Sequence, residues 1–201
     1  PLAVRDRNAA WGLYDNKLLE NARLKLAELH AAGQPFNLTI LTLDTHNPFG
    51  FLSPTCREAG VVDFKGIVTC SAEHIARFVE FAQTQGYLKN TVVVIIGDHL
   101  TARNPLWEQL QQVGSSRRMF NLILAEEGPQ PNTQELLPYD MFPTVLELVG
   151  LGVKGDRMGL GYSAVGPMET SRPAQRIPLL ARTAWERASP TYESLWKPTP
   201  E

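Results

Sequence analysis

The chain has 201 residues, 43% of them hydrophobic, enough to bury one substantial core without requiring a second domain. Its 19 lysines and arginines nearly balance 21 aspartates and glutamates. A formal net charge of -2 gives no support for nucleic acid or an anionic membrane surface as a partner. No window approaches 18 consecutive apolar residues, so no membrane-spanning helix is expected within it.

The opening Pro1-Leu-Ala-Val-Arg-Asp-Arg has neither the layout of a signal peptide nor a natural start, and reads as a cut into a longer chain. Trp11-Gly-Leu-Tyr-Asp15 then leads into an amphipathic helix. Asp15 is a fair N-cap, and Leu18, Leu19, Ala22, Leu26 and Leu29 share one face at three- and four-residue spacing. Gly33 and Pro35 end it. Trp11 and Tyr14 read as packing residues.

Phe36-Asn-Leu-Thr-Ile-Leu-Thr-Leu43 predicts a strand that runs directly into Asp44-Thr45-His46-Asn47-Pro48. His46 is a candidate site residue there, or alternatively a cap on the turn that Asn47-Pro48 begins. Residues 48–70 read as a long irregular connection, of the length usually kept for a lid or specificity loop. A helix follows, N-capped by Ser71, burying Ile75, Phe78, Val79 and Ala82 and ending at Gly86; His74 in its first turn reads as a solvated residue.

Thr91-Val-Val-Val-Ile-Ile-Gly-Asp-His99 is the stretch around which the rest is organised. Five β-branched apolar residues, Val92 to Ile96, predict a strand buried on both faces of a parallel sheet. Asp98 and His99 follow Gly97 immediately, where the strand ends at a sheet edge of the kind that holds ligands in open α/β folds. A carboxylate and an imidazole side by side offer oxygen and nitrogen to one divalent cation; the plainer reading is a turn in which Asp accepts local amides. If strands 38–43 and 92–96 are parallel neighbours, His46 emerges at the same edge as Asp98 and His99.

Asn104-Pro105 predicts an N-cap with proline at the first helical position, and the short helix beyond carries Leu106, Trp107, Leu110 and Val113. Arg103 just before it reads either as an anion contact or as a solvated loop arginine. Met119–Leu124 predicts a third strand, and Tyr139–Gly150 a helix with Asp140 near its start. Gly155 to Ser163 is glycine-rich but follows no strand, so it is not a dinucleotide loop. Residues 167–201 are punctuated by proline, with one possible short helix around Leu179 to Arg187. The expected fold class is α/β, a mostly parallel sheet flanked by helices, with residues 1–165 forming the domain and 166–201 a C-terminal tail.

Taken in order, Trp11-Gly-Leu-Tyr-Asp15, Pro35-Phe36, Asp44-Thr-His46, Asn90-Thr-Val-Val-Val-Ile-Ile-Gly-Asp-His99 and Asp140-Met-Phe-Pro-Thr144 resemble the sulfatase-like branch of the alkaline phosphatase superfamily. The resemblance runs from about Trp11 to Ser163. Within that branch the lipoteichoic acid synthases and the phosphoglycerol transferases that modify periplasmic glucans are nearest. They are echoed in Asp44-Thr-His-x-Pro-x-Gly-Phe51, Thr55-Cys56, Cys70-Ser71 and Gly159-Leu-Gly161. The resemblance implies that Asp98 and His99 bind one divalent metal, typically manganese, and that His46 contacts the substrate phosphate or a transferring oxygen. It implies a two-step transfer in which phosphatidylglycerol is the donor, a metal-activated threonine or serine is the nucleophile, and a glucan or other hydroxyl is the acceptor.

That resemblance also carries an expectation about extent. In the family the nucleophile and the first acidic metal ligand precede the Trp-Gly motif, and here only ten residues do so. The chain is therefore expected to be the C-terminal half of the catalytic domain of an inner-membrane, periplasm-facing protein, inactive alone. Thr45 is by this matching a neighbour of the substrate histidine rather than the nucleophile. In a periplasmic parent, Cys56 and Cys70 are placed to close a loop beside the active-site edge. The alternatives are a sulfatase or a phosphodiester or phosphonate hydrolase of the same superfamily, or a non-catalytic binding module. The Asp-x-His spacing at 44–46 lacks the longer Asp-x-x-x-His of two-metal relatives.

Overall fold

The structure, a computed structural model, describes residues 6–8, 11–114, 117–131 and 136–165. The chain divides into two compact units, one ending at Leu124 and the other beginning at Ala125. The proposed tail and its possible helix at 179–187 lie outside the described residues.

The first unit is organised by two long helices. A two-stranded antiparallel ribbon, β1 (Arg7–Asn8) and β2 (Gly12–Leu13), leads into α1 (Asp15–Ala31). Of the face predicted for helix α1, Leu18 and Leu29 are half-buried, and Leu19, Ala22 and Leu26 are buried. These meet Phe78 and Ala82 of α3 (Phe64–Thr84), and Leu88 closes the cluster. Full burial of a leucine or phenylalanine is worth about 1.5–3 kcal/mol, so this interhelical seam is a substantial source of stability in the unit.

Between these helices, residues 48–63 are less irregular than expected. Ser53 caps the short helix α2 (Pro54–Glu58), accepting the Cys56 amide on its side chain. Helix α3 begins at Phe64, its N-cap lying eight residues before the predicted cap Ser71, because the Asp63 carboxylate accepts the Gly66 amide at 2.7 Å and is its true N-cap. Ser71 is consequently interior to the helix and buried.

The predicted parallel sheet is not present among the described residues. Strand β3 (Val93–Ile96) pairs antiparallel with β4 (Asn121–Leu124), in the register Val93 opposite Leu124 and Ile96 opposite Asn121. Nor is β3 buried on both faces: its residues are half-buried to exposed, with Ile96 49% exposed. Phe36–Leu43 joins no ladder among the described residues, so it is not hydrogen-bonded to β3 as a strand. It nevertheless keeps a strand's alternation. Phe36, Leu38 and Ile40 pack on the helical core, while residues 37, 39 and 41 face outward.

Helix α4 (Trp107–Val113) starts two residues beyond the predicted first position. Asn104 still governs its entry, accepting the Leu106 amide on Oδ1 at 2.8 Å and the Trp107 amide on its carbonyl at 2.9 Å.

In the second unit, a 3-10 turn at Pro138–Asp140 runs into α5 (Met141–Leu148), which packs on the hairpin of β5 (Arg157–Met158) and β6 (Gly161–Tyr162). Buried Asp140 ties the two together: its carboxylate accepts the Leu137 amide at 2.8 Å and the Tyr162 amide at 2.7 Å. Thr144 donates to the Asp140 carbonyl and accepts the Ala164 amide. Gly161 is required by this contact, since a Cβ there would collide with the Tyr139 backbone carbonyl. The Asp140-to-Thr144 string and the glycine-rich segment are thus a structural clamp.

Candidate functional site

The β3–β4 ladder is extended by a bond from the Gly97 amide to the Phe120 carbonyl at 2.9 Å, so the chain leaves the strand only at Asp98. There the Asp98 Oδ1 accepts the His99 amide at 2.9 Å, the local turn anticipated as the plainer reading. The same turn does more than that. His99 Nδ1 lies 2.9 Å from the Leu100 carbonyl. A carbonyl oxygen only accepts, so Nδ1 carries the hydrogen, and in the neutral ring Nε2 is the lone-pair nitrogen. That Nε2 faces Asp98 Oδ2 at 3.5 Å, with both side chains well exposed.

Two electron-rich atoms so placed are able to share one divalent cation. Donors at about 2.1 Å from a common divalent ion are separated by about 3.0–3.4 Å, so the observed spacing fits a shared ion with little adjustment. The carbonyl behind the imidazole is the kind of outer partner that orients a metal-binding histidine. Among the described residues no third His, Cys, Asp or Glu joins this pair to complete a cluster.

The loop carrying the pair is held from behind. Buried Asn104 donates to Thr101 Oγ1 and to the Ala102 carbonyl, and Arg117 donates to the Thr101 carbonyl at 2.8 Å while covering the Trp107 ring. Arg103 sits in this loop and is exposed.

His46 occupies a different setting. Its Nδ1 lies 2.6 Å from the Asn47 carbonyl, which by the same reasoning makes Nε2 the basic nitrogen. The ring lies 4.8 Å from Trp11 and 6.5 Å from Phe51 between centroids. Trp11 is 56% exposed and packs its ring against the histidine from the solvent side. His46, Asp98 and His99 do not come together as a common ligand cluster.

Beneath His46 lies a feature that the sequence reading missed. Asp15 is not an N-cap. Fully buried, its carboxylate accepts the Leu43 amide at 2.7 Å, the Asp44 amide at 3.2 Å and the Ser71 hydroxyl at 2.6 Å. It thereby fixes the backbone that delivers Thr45 and His46. Asp44 is equally buried, and its pKa is raised from 3.8 to about 7. Burial is the main cause and the Asp15 charge adds to it, against a smaller opposing contribution from hydrogen bonding to the Asp15 backbone.

A disulfide joins Cys56 to Cys70, with α-carbons 6.2 Å apart, and links α2 to α3. His74 was read as solvated. It instead lies against this bridge, and its pKa is lowered, first by burial and then by Arg77, against the raising effects of Asp15, Glu73 and Glu20. The i, i+4 spacing of Cys70 and His74 was the available signal.

The family model described as Sulfatase matches residues 3–151, most of the chain. The chain belongs to the sulfatase family. Among curated proteins, this sulfatase-family chain is 36% identical over 171 aligned residues to phosphoglycerol transferase I of Citrobacter koseri and to that of Escherichia fergusonii. It is 35% identical over the same length to phosphoglycerol transferase I of Escherichia coli O139:H28. Each alignment takes in 80% of this chain and 22% of the relative, so the chain spans about a fifth of the length of the curated proteins it matches. No solved structure matches it significantly. No helix among the described residues is long and apolar enough to cross a membrane.

Proposed function

We propose that this chain is part of a metal-dependent phosphoglycerol transferase, with Asp98 and His99 contributing to a divalent metal site and His46 acting on the substrate. The observation that carries this reading is the Asp98 Oδ2–His99 Nε2 spacing of 3.5 Å, with the imidazole tautomer set by the Leu100 carbonyl. The likeness to phosphoglycerol transferase I supports the choice of reaction. In this reading the donor is phosphatidylglycerol, the acceptor a hydroxyl of a periplasmic glucan, and the location the periplasmic side of an inner-membrane protein. The metal is Mn2+, and the mixed oxygen and nitrogen donors suit such an ion.

A bound divalent cation would supply Lewis-acid stabilisation of charge building on the phosphoryl oxygens. The rest falls to the chain's own side chains. His46, held through Nδ1 on the Asn47 carbonyl, presents Nε2 to accept a proton from an attacking hydroxyl or return one to a departing oxygen. It forms no common ligand cluster with Asp98 and His99, which suits a substrate contact better than a shared ligand. Asp15 holds residues 43 and 44 so that His46 is delivered in one orientation. Arg103, exposed on the Asp98–His99 loop, is proposed as a contact for the anionic substrate. None of the chain's own serines or threonines is assigned the nucleophile.

Manganese titration followed by electron paramagnetic resonance tests the site. Asp98→Ala and His99→Ala should each abolish the protein-bound signal, whereas His46→Ala should leave it and remove phosphoglycerol transfer in the parent polypeptide. Retention of normal manganese binding by both ligand variants would discard the metal assignment. A metal-independent docking module, the second reading, would show no change in either.

A further inference from the structure

Outside the Asp98–His99 loop, one other place gathers metal-competent atoms. Cys56 Sγ, Cys70 Sγ and His74 Nε2 all lie within 4.8 Å of one another, the single such group of three among the described residues. The imidazole nitrogen is 3.7 Å from the Cys56 sulfur and 3.5 Å from the Cys70 sulfur. With zinc–sulfur bonds of about 2.3 Å and zinc–nitrogen bonds of about 2.0–2.1 Å, tetrahedral geometry places sulfur and nitrogen ligands about 3.5 Å apart. Both observed distances already approach that value. What prevents coordination in the oxidised chain is the bond between the two sulfurs.

We propose that reduction of the Cys56–Cys70 disulfide converts this cluster into a binding site for a thiophilic divalent cation of the zinc class, with Cys56, Cys70 and His74 as ligands. A dithiol reductant delivers two electrons and two protons, its own sulfurs becoming a disulfide, and leaves two cysteine thiols. Metal binding then releases the two thiol protons, and His74 contributes the neutral Nε2 lone pair. The sulfurs need to part to about 3.8 Å, the tetrahedral separation for bonds of about 2.3 Å.

Four features of the fold favour this. Cys70 and His74 are one helical turn apart on α3, so two ligands sit on one rigid element. Cys56 is 2% exposed and its backbone is pinned by the Ser53 cap, so it stays in place when the bond is cut. The burial and the Arg77 charge that lower the His74 pKa keep the imidazole in its neutral, ligating form at neutral pH. Partial exposure of His74 leaves solvent room to fill a fourth position. Disulfide and metal would be mutually exclusive, which makes occupancy a readout of the local redox state.

Cobalt is the probe, because sulfur-to-cobalt charge transfer reports thiolate ligands and is blind to Asp98 and His99. The 201-residue chain, oxidised or reduced with a phosphine that is then removed under anaerobic conditions, is titrated with Co2+, and Zn2+ is added to displace it. The expected result is a charge-transfer band and tetrahedral d–d bands only in the reduced chain, both lost on adding zinc. His74→Ala should weaken cobalt binding at least about tenfold, with Cys56→Ser abolishing the band. Circular dichroism follows folding throughout. Absence of the band in the reduced chain overturns the proposal, whether the chain stays folded or unfolds without being restored by cobalt. A band whose strength and affinity are unchanged in His74→Ala overturns it as well.

Discussion

Asp15 and Asp44 hold each other by their backbones: Asp15 Oδ1 accepts the Asp44 amide at 3.2 Å, and Asp44 Oδ2 accepts the Asp15 amide at 3.2 Å. The pair locks the start of α1 to the segment that carries His46, with two carboxylates buried side by side. Asp44 Oδ1 is buried without a hydrogen-bond partner, which makes the ionised form costly.

A pH dependence follows with a definite sign. The Asp44 pKa is raised on folding from 3.8 to about 7, so between those values the folded state holds a proton that the unfolded state has lost. Its favourable contribution is complete below the unfolded value and disappears as pH rises through about 7. Going from pH 5 to pH 8, the wild type should lose on the order of 2–3 kcal/mol relative to Asp44→Asn. Urea unfolding of both proteins at the two pH values measures this; parallel curves would show that Asp44 does not titrate in that range.

Ser71→Ala removes the hydroxyl that donates to the buried Asp15 carboxylate at 2.6 Å. A hydrogen bond to a charged group contributes about 1.5–3 kcal/mol, and the denaturation midpoint should fall accordingly. An N-cap serine would behave differently, since its loss would fray a helix end. Far-ultraviolet circular dichroism should therefore show unchanged helix content in the variant.

Cutting the disulfide has its own cost. Its cysteines are 14 positions apart, and a closed loop of that size stabilises by about 3 kcal/mol in the chain-entropy model. The paired Cys56→Ala, Cys70→Ala variant should lose about that much in urea. A loss near zero would mean that the unfolded chain is already compact around this loop.

In the second unit, Gly161→Ala forces a methyl group against the Tyr139 carbonyl. Because that atom is backbone at the entry to α5, the hairpin has to shift and the Asp140–Tyr162 bond lengthens. A loss of about 2–4 kcal/mol is expected, comparable to severe overpacking with a broken buried hydrogen bond. Thermal unfolding of the variant beside Gly152→Ala, where an added Cβ meets nothing and φ is not positive, separates this clash from a general glycine effect.

The helices were largely legible because their signals are local. Leu19, Ala22 and Leu26 lie at helical spacing, and they are the apolar residues that α1 buries. The start of α3 was not, because Asp63 and Ser71 both satisfy the chemistry of a cap and Gly66 reads as a breaker between them. The strand at 93–96 was visible in its β-branched run, but its partner and direction were not. Ladder direction depends on contacts distant in sequence, and an all-apolar run reads as buried on both faces when here one edge of it reaches half exposure at Ile96. Asp98 and His99 could be named from their place after the strand; the tautomer-setting Leu100 carbonyl required coordinates. Asp15 was misread for a related reason. Its three partners lie 28, 29 and 56 positions away, beyond the reach of any local pattern.

The ring of Trp11 beside His46 has a practical consequence. An indole next to an imidazole loses fluorescence when that imidazole gains a proton, and the 4.8 Å centroid separation puts the two rings in contact range. In a variant whose other tryptophans are replaced by phenylalanine, Trp11 emission becomes an optical gauge of the charge on His46. On the substrate role proposed for His46, phosphate or phosphoglycerol engaging its Nε2 would then register as a change in brightness, with no turnover needed.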